Sequence, residues 1–530
     1  MIQLAQILFI LSVLVILHEF GHYITAKWFK VRVEKFYLFM DAGFSLFKKK
    51  IGETEWGIGW LPIGGYVKLS GMIDESMDTD QMKQEVQPWE FRAKPAWQRL
   101  IIMLGGIIVN ILLAIFIYSI TFSTIGKKVV SSDKIQTNGL AFGDVGNKVG
   151  FKNGDMIVSV DGKKYDDFKF VPMAILFGDK VEIDRDGKKI ELSLSDEQKG
   201  EIIKKEGKGF VGARFHMNNF FIDSIGKNSN GVERFDEIIA INGNSFTFFD
   251  QYIDELKKVK QNDSISFTVK RRDKILNFKT LVDSTSKNGF SLKGLVLNQN
   301  YNFKNAFISE IVEDSVADKA GIELKDKIIE INNTKISDFK SFKEQLANIN
   351  FNEEFKIKVV RKNDTLELKA KQNKTKLFGV KISDDTDSQF IERHKMSFLK
   401  AIPEALQQSW FLFKYNIQSL KLIAKPKTGA YTQVKSPVGI ARQLPDEWNW
   451  EFIWNFTALF SIGLAFMNLL PIPGLDGGHA LFTIVEMITG KTLSDKAAGY
   501  VQTAGMIILL TLMALTFGKD IVQLVIDKFF

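Results

Sequence analysis

The sequence predicts a polytopic α-helical membrane protein, with about four transmembrane helices and a long polar insert of β-rich modules. Four apolar runs are long enough to cross the roughly 30 Å hydrocarbon core of a bilayer, which takes about 20 helical residues. The polar insert, 126–384, separates the second run from the third. Inside the insert, one strand–turn–strand pattern occurs three times, which is typical of repeated β-rich domains.

The composition excludes several classes of function. The 530-residue chain contains no cysteine, which excludes disulfides, a catalytic thiol and cysteine-ligated metal sites. Any bound metal must therefore use histidine, aspartate or glutamate ligands. The formal net charge of +8 is modest for this length and is not gathered in blocks of arginine and lysine, so we expect no nucleic-acid partner.

The first apolar run starts at Met1 and continues through the stretch HEFGH, residues 18–22. It has neither the basic start nor the small-residue cleavage site of a signal peptide, so we expect a mature transmembrane helix. The other runs lie at 98–122, 452–470 and 499–518. Lysine and arginine cluster between the first two runs, and the positive-inside rule places that loop and the adjoining HEFGH toward the cytoplasm.

The same rule places the polar insert outside the cytoplasm. We expect three modules, 126–215, 216–297 and 298–384, because the stretches FKNGDMIVSVDGKKY, VERFDEIIAINGNSF and IELKDKIIEINNTKI are alike. Each stretch joins an acidic turn to a short β-rich run and a second turn. The modules resemble PDZ domains, which bind extended peptides by adding a strand to a sheet edge. Alternatively, the modules act only as spacers and bind no ligand.

Two halves of a membrane domain, 1–125 and 451–530, flank the insert and its connector, 385–450. The connector contains FLKAIPEALQQSWFLFKYNIQSLKLIA, an amphipathic stretch that fits either a helix on the outer membrane surface or a plain connecting helix. The loop after the first run alternates β-forming and turn residues, from KFYLF to GGYVKL, and predicts small strands. This loop either re-enters the bilayer or forms a cytoplasmic hairpin that braces the spans.

The stretch HEFGH fits the pattern H-E-x-x-H. On a helix, His18 and His22 share a face and can hold one metal ion, while Glu19 projects nearby as a candidate general base on the attacking water. Zn²⁺ would supply the Lewis acidity that this chemistry needs. Ionisable residues within a membrane span are costly, and they are retained mainly where they have a function.

A catalytic zinc ion takes a third protein ligand and keeps one position open for water. The stretch NLLPIPGLDGGHAL, from Asn468, lies at the cytoplasmic end of the third run, where two prolines break the helix and glycines allow a tight turn. Asp476, the acidic residue of this stretch, can complete a site of two histidines and one carboxylate. His479 is the alternative third ligand.

HExxH in the first span and N-x-x-P-x-P-x-L-D-G in a later span resemble the site-2 protease family of intramembrane zinc metalloproteases. The stretches LPIGGYVKLSG, GGIIVN and SPVGIA match motifs of its bacterial, sigma-E regulator branch. That branch carries PDZ domains between spans two and three. It usually has two of them, whereas three modules are counted here.

The resemblance implies a role for each motif residue. His18, His22 and Asp476 would bind a single zinc ion, and Glu19 would be the catalytic base. Substrate or oxyanion binding would fall to two asparagines, Asn468 and Asn110, the second of which ends the stretch GGIIVN.

The implied protein is a metalloendopeptidase that cuts the transmembrane segments of single-pass membrane proteins, such as anti-sigma factors or remnant signal peptides. It would be a multi-pass protein of the bacterial inner membrane, in contact with the lipid bilayer, whose modules filter substrates. The competing interpretation is a non-catalytic membrane scaffold that presents PDZ modules, which explains the repeats but neither HEFGH nor Asp476. A zinc transporter or metal sensor would need more polar residues in the spans.

Overall fold

The computed structural model describes residues 2–61, 64–72, 84–225, 231–258, 264–286, 289–292, 295–299, 307–312, 314–362, 364–373, 378–383, 390–442, 444–445, 447–491 and 495–529. The chain forms two compact units. The membrane unit comprises Met1–Lys127 and Arg393–Phe530, and the insert unit comprises Lys128–Glu392. The predicted module boundary at residue 384 lies outside the described residues.

Four helices of the described membrane unit are long and apolar enough to cross a membrane, which confirms the four predicted runs. We number them spans 1 to 4: Ile2–Trp28, Ala96–Thr124, Trp450–Leu469 and, within the longer helix Asp495–Phe529, Gly499–Asp520. The other described α-helices of this unit are the connector helix Phe398–Ile423, the short helix Pro437–Ala441 and the Asp476 helix, Asp476–Thr489.

Glycines set the close approach of span 1 to span 2. A Cβ atom on Gly21 would lie 2.3 Å from the carbonyl oxygen of Gly105, and one on Gly105 would lie 2.6 Å from the carbonyl oxygen of Gly21. A Cβ atom on the next residue, Gly106, would lie 2.5 Å from the imidazole ring of His18. Small residues let membrane helices pack closely, so this contact brings span 2 directly against the histidines of span 1.

The connector helix packs against spans 2 and 3. Small and apolar residues of the three helices share one buried cluster, which includes Ala401, Ala405, Ala114, Ile117 and Ala458. Leu399, Leu406 and Trp410 of the connector helix are exposed. Both sides of this helix therefore present apolar groups, one side to its neighbours and the other outward.

The loop between spans 1 and 2 forms a four-stranded sheet, which confirms the predicted strands. The strands are β1 (Val33–Leu38), β2 (Met40–Ile51), β3 (Thr54–Leu61) and β4 (Tyr66–Leu69), in the order β2-β3-β1-β4. β1 and β3 are parallel, and the other neighbours are antiparallel. β2 and β4 are therefore the two edges of this loop sheet.

The insert unit repeats one arrangement three times, each time around its own hydrophobic core. In each repeat a strand near the start pairs antiparallel with a strand at the end: Leu140–Phe142 with Val211–Ala213, Phe220–Ile225 with Leu295–Gln299, and Phe307–Ile311 with Val380–Ser383. The strands between them form one antiparallel sheet per repeat: Met156–Val160, Val181–Arg185 and Lys188–Leu192; Glu237–Ile241, Asn244–Ser245, Ser264–Arg271, Lys274–Ser286 and Gly289–Leu292; Lys327–Ile331, Thr334–Lys335, Glu354–Arg361 and Asp364–Lys371.

Short helices and two junction strands complete the insert unit. Its described α-helices are Ser132–Ile135, Asp144–Lys148, Val171–Phe177, Asp196–Lys204, Phe249–Lys257, Val316–Lys319 and Phe339–Asn348. The strands Lys127–Val130 and Ile391–His394 lie where the chain enters and leaves the unit.

A buried ion pair recurs at the same place in each repeat. An arginine of the sheet binds the carboxylate of the acidic turn through two hydrogen bonds: Arg185 with Asp155, Arg271 with Asp236, and Arg361 with Asp326. The three carboxylates are at most 1% exposed. Bidentate pairs of this kind fix the geometry of a carboxylate, so the acidic turns noted in the sequence serve the packing of the modules.

Candidate metal centre

His18 and His22 lie one helical turn apart on span 1 and face the same buried space. Their Nε2 atoms are 3.4 Å apart, and each residue is 7% exposed. The i, i+4 spacing of HEFGH puts both rings on one face of the helix. Gly106 of span 2 leaves room for them, since a Cβ atom there would lie 2.6 Å from Nε2 of His22.

Asp476 reaches this space from a break between membrane helices. Span 3 ends at Leu469, and a turn follows because Pro471 and Pro473 cannot continue a helix. Gly474 has a φ of 97°, in the left-handed region that glycine adopts readily. The Asp476 helix begins directly after this turn, so its first residue points back toward span 1.

Three ligand atoms form a nearly equilateral triangle. Oδ2 of Asp476 lies 3.2 Å from Nε2 of His18 and 3.3 Å from Nε2 of His22, and the two nitrogens are 3.4 Å apart. A tetrahedral zinc ion with bonds of about 2.0 to 2.2 Å holds neighbouring ligand atoms about 3.3 to 3.6 Å apart. Oδ2 of Asp476 is buried and makes no hydrogen bond with the described residues. The triangle therefore fits one metal ion with a fourth position open.

His479, the alternative third ligand, lies one turn further along the Asp476 helix. It lines the same cavity. The group of potential ligand atoms found in the described part of the chain contains His18, His22 and Asp476, without His479. The fold thus brings Asp476, and not His479, to both histidines of span 1.

Span 2 supplies a partner to the second nitrogen of each ring. Nδ1 of His22 lies 2.9 Å from the carbonyl oxygen of Ile102. Because a carbonyl can only accept, Nδ1 carries the proton and Nε2 keeps the lone pair that a metal ligand requires. Nδ1 of His18 lies 3.2 Å from Nδ2 of Asn110. Asn110 is fully buried, and its Oδ1 has no hydrogen-bond partner among the described residues.

The three ligand side chains line a cavity of about 100 Å³. Its walls come from all four spans, the Asp476 helix and edge strand β4, and the other lining residues are Glu19, Gly65, Tyr66, Val67, Leu69, Met72, Met103, Asn468, Gly474, Leu475, His479 and Gln502. Pockets that hold drug-sized ligands have about 300 to 1,000 Å³. A peptide segment would therefore have to widen this cavity in order to reach the ligand atoms.

The other predicted site residues lie at different distances from the ligands. Glu19 lines the cavity, and Gly65 leaves space for it, since a Cβ atom on Gly65 would lie 3.3 Å from Cγ of Glu19. Nδ2 of Asn468 lies 3.1 Å from Nε2 of His18. Asn110 is not among the lining residues, and its Nδ2 contacts Nδ1 of His18.

Three residues of the cavity wall lie outside the motif stretches that the sequence singles out: Met72, Met103 and Gln502. Met72 and Met103 are ordinary apolar residues of a loop and an apolar helix, and nothing in the sequence sets them apart. Gln502 could have been found from the sequence, because it is a polar residue within an apolar span. Polar side chains in such a position are costly and mark candidate functional sites.

Comparisons with known proteins identify the family of this chain. The sequence profile of peptidase family M50 matches residues 6–512. A regulator of sigma E protease from Haemophilus influenzae is 23% identical over 544 residues, which cover 98% of this chain and 99% of the relative. The regulator of sigma-E protease RseP from Escherichia coli is 25% identical over 538 residues, with the same shares of each chain. A relative from Thermotoga maritima, named a zinc metalloprotease, is 25% identical over 524 residues, or 95% of each chain.

Among solved structures, a PDZ domain from Listeria monocytogenes matches 14% of this chain and 88% of its own length, at 20% identity and a TM-score of 0.13. Because this TM-score is low, the module fold is defined by the strand pairing within the chain itself. The profile match and the full-length relatives confirm the family resemblance predicted from the sequence, and the chain belongs to peptidase family M50.

Proposed function

We propose that this chain is an intramembrane zinc metalloprotease that cleaves the transmembrane segments of single-pass membrane proteins. One observation carries the proposal: the triangle of His18, His22 and Asp476, with Glu19 on the same cavity, lies among helices apolar enough to span a membrane. Ionisable groups in that setting are costly and are retained where they have a function. A non-catalytic scaffold would leave this group of residues without a purpose.

In this proposal His18, His22 and Asp476 hold one zinc ion, which when bound supplies the Lewis acidity for water attack at neutral pH. Glu19 accepts a proton from the attacking water and passes it to the leaving amine. Asn468 donates a hydrogen bond to the carbonyl oxygen of the scissile peptide group as negative charge develops there. Its carboxamide nitrogen lies 3.1 Å from Nε2 of His18, and the side chain lines the same cavity as Glu19.

The substrate must unwind before it is cut, because an α-helix satisfies its peptide groups with its own hydrogen bonds. Edge strand β4 contributes Tyr66, Val67 and Leu69 to the cavity wall. We expect the unwound segment to add to this edge as a further strand beside the ligands.

The loop sheet is also suited to contact with lipid. Its other edge, β2, exposes Phe44, Leu46 and Phe47. Apolar side chains on an outer strand favour a loop that re-enters the bilayer over a hairpin that lies wholly in the cytoplasm. In that position the sheet can meet a transmembrane segment at the depth of the metal centre.

The orientation follows from the positive-inside rule, which puts the loop sheet and the metal centre toward the cytoplasm of a bacterial inner membrane and the insert unit outside. Two relatives are named as regulators of sigma E, which supports anti-sigma factors as one substrate class beside remnant signal peptides. The three modules would exclude proteins whose outer domain is still large. Cleavage would then follow an earlier cut by another protease.

Replacing Glu19 with glutamine removes the proposed base but keeps the size of the side chain. We expect Glu19→Gln to retain wild-type zinc content and thermal stability, and to cleave a single-pass test substrate in detergent about 10²- to 10⁴-fold more slowly. Zinc content is measured on the purified protein by atomic emission, and cleavage by gel. Cleavage at close to the wild-type rate would remove Glu19 from the mechanism.

Two substitutions separate the candidate third ligands. Asp476→Ala should lose most of the zinc together with activity, because a catalytic zinc site needs its three protein ligands. His479→Ala should keep most of the zinc. Both variants are purified under the same conditions and compared by metal analysis, and the opposite pattern would transfer the ligand role to His479.

Removing the insert unit tests the size filter. We expect a chain in which a short glycine-serine linker replaces 128–392 to cleave a substrate with a small outer domain and also one with a large outer domain that the full-length chain spares. Both substrates are compared at equal expression in one membrane, with the truncated Glu19→Gln variant as the inactive control. The filter is refuted if the zinc-loaded truncated enzyme still spares the large substrate, or if it cleaves neither.

A further inference from the structure

Gln502 of span 4 is a buried polar side chain that the proposed mechanism does not use. It lines the cavity of the metal centre and is 5% exposed. Its carboxamide makes no hydrogen bond with the residues that the structure describes. Its oxygen and nitrogen are not among the fully buried unpaired atoms of the described residues, so the carboxamide faces the open space of the cavity. A group in this position can take its hydrogen-bond partner from a ligand that enters.

The packing of span 4 fixes the direction of this side chain. Gly505 lies one turn after Gln502, and a Cβ atom on it would lie 1.8 Å from the carbonyl oxygen of Pro473. Leu509, a further turn along, contacts the turn at Gly474. Residues three and four apart share a helix face, so the face that meets the turn before Asp476 also points Gln502 into the cavity.

The rest of span 4 is turned away from the protein. Its exposed apolar residues include Ile507, Ile508, Leu510, Leu512 and Leu515. Gln502 therefore lies on the side of this helix that lines the cavity. A carboxamide has both a donor and an acceptor end, which matches the N–H and C=O groups of an unwound peptide.

We propose that Gln502 is a substrate-binding residue that hydrogen-bonds a main-chain peptide group of the unwound segment in the cavity that β4 also lines. The inference rests on the proposed function. β4 would pair with one edge of the extended segment, and Gln502 would satisfy a peptide group that loses its helical hydrogen bond next to the scissile bond. Leaving such a group unpaired in a membrane is costly.

The test compares Gln502→Met, which keeps the length of the side chain, with Thr503→Val as a matched control. Thr503 is an exposed neighbour whose hydroxyl donates to the carbonyl oxygen of Gly499. We expect Gln502→Met to raise KM for a single-pass test substrate about 3- to 10-fold, the loss of one hydrogen bond, with kcat, zinc content and thermal stability unchanged. Gln502→Ala repeats the measurement with a smaller side chain.

The outcomes are separable from those of the proposed function. Wild type and Glu19→Gln are assayed first, and a wild-type chain that does not cleave the substrate would refute the function itself. If the wild type cleaves and both Gln502 variants keep KM within about twofold of it, the binding role is wrong. A fall in kcat at constant KM also overturns it, because the group would then act in the transition state and not in substrate binding.

Asn110 carries a second inference on independent observations. For Nε2 of His18 to bind a metal, its Nδ1 must carry the proton and find an acceptor. The carboxamide of Asn110 is the group at Nδ1, and its Oδ1 is buried without a partner among the described residues. A carboxamide can present either end, so we infer that Oδ1 turns to Nδ1 and that Asn110 is a positioning residue for His18.

Zinc affinity, measured by competition with a chelator, tests this role apart from activity. We expect Asn110→Leu, which has a similar volume and no acceptor, to bind zinc about 10- to 100-fold more weakly. Asn110→Asp keeps the acceptor and should stay close to wild type. Ser461→Ala is the control for packing, because the Ser461 hydroxyl donates to the main-chain carbonyl of Asn110. Equal affinity of Asn110→Leu and wild type, or equal losses in the Leu and Asp variants, would refute the role.

Discussion

The metal centre depends on the close contact between spans 1 and 2. That contact is possible because Gly21 and Gly105 bring the two backbones together. Three residues of span 2, each four positions after the last, then face the two histidine rings. Ile102 supplies a carbonyl to His22, Gly106 leaves space for both rings, and Asn110 reaches His18. A side chain larger than hydrogen at these glycines would separate the histidines from Ile102 and Asn110.

Asp476, the proposed third ligand, is carried by a separate helix that follows the end of span 3. Two prolines end span 3 and let Asp476 begin a new helix that points toward span 1. Irregular backbone at membrane depth is tolerated where it lines a cavity, and this turn does so through Gly474 and Leu475. The cavity that results is small, so access to it requires movement of a wall.

Features that depend on local spacing could be predicted from the sequence. The four spans follow from apolar length, the loop strands from alternation, and the meeting of His18 with His22 from the helical repeat. The prediction that Asp476 lies near His18 and His22 depended on placing the ends of two spans at the same depth in the membrane. Pairings between distant segments could not be predicted, because neither partner is unusual by itself. In the sequence, Asn110 and Gln502 are alike, because each is a carboxamide within an apolar span. Only the fold shows that Asn110 contacts the His18 ring and that Gln502 lines the cavity. The arginine partners of the acidic turns were missed for the same reason.

The insert unit is built on different interactions from the membrane unit. Each repeat has its own core and its own buried Arg–Asp pair, and no group of potential metal ligands is found within the described part of the insert. In the proposed function, its modules influence cleavage through binding or bulk. The chemistry of that function is confined to residues from the two ends of the chain, which meet in the cavity between spans 1 to 4. The modules would then change which substrates arrive while the ligand triangle stays the same.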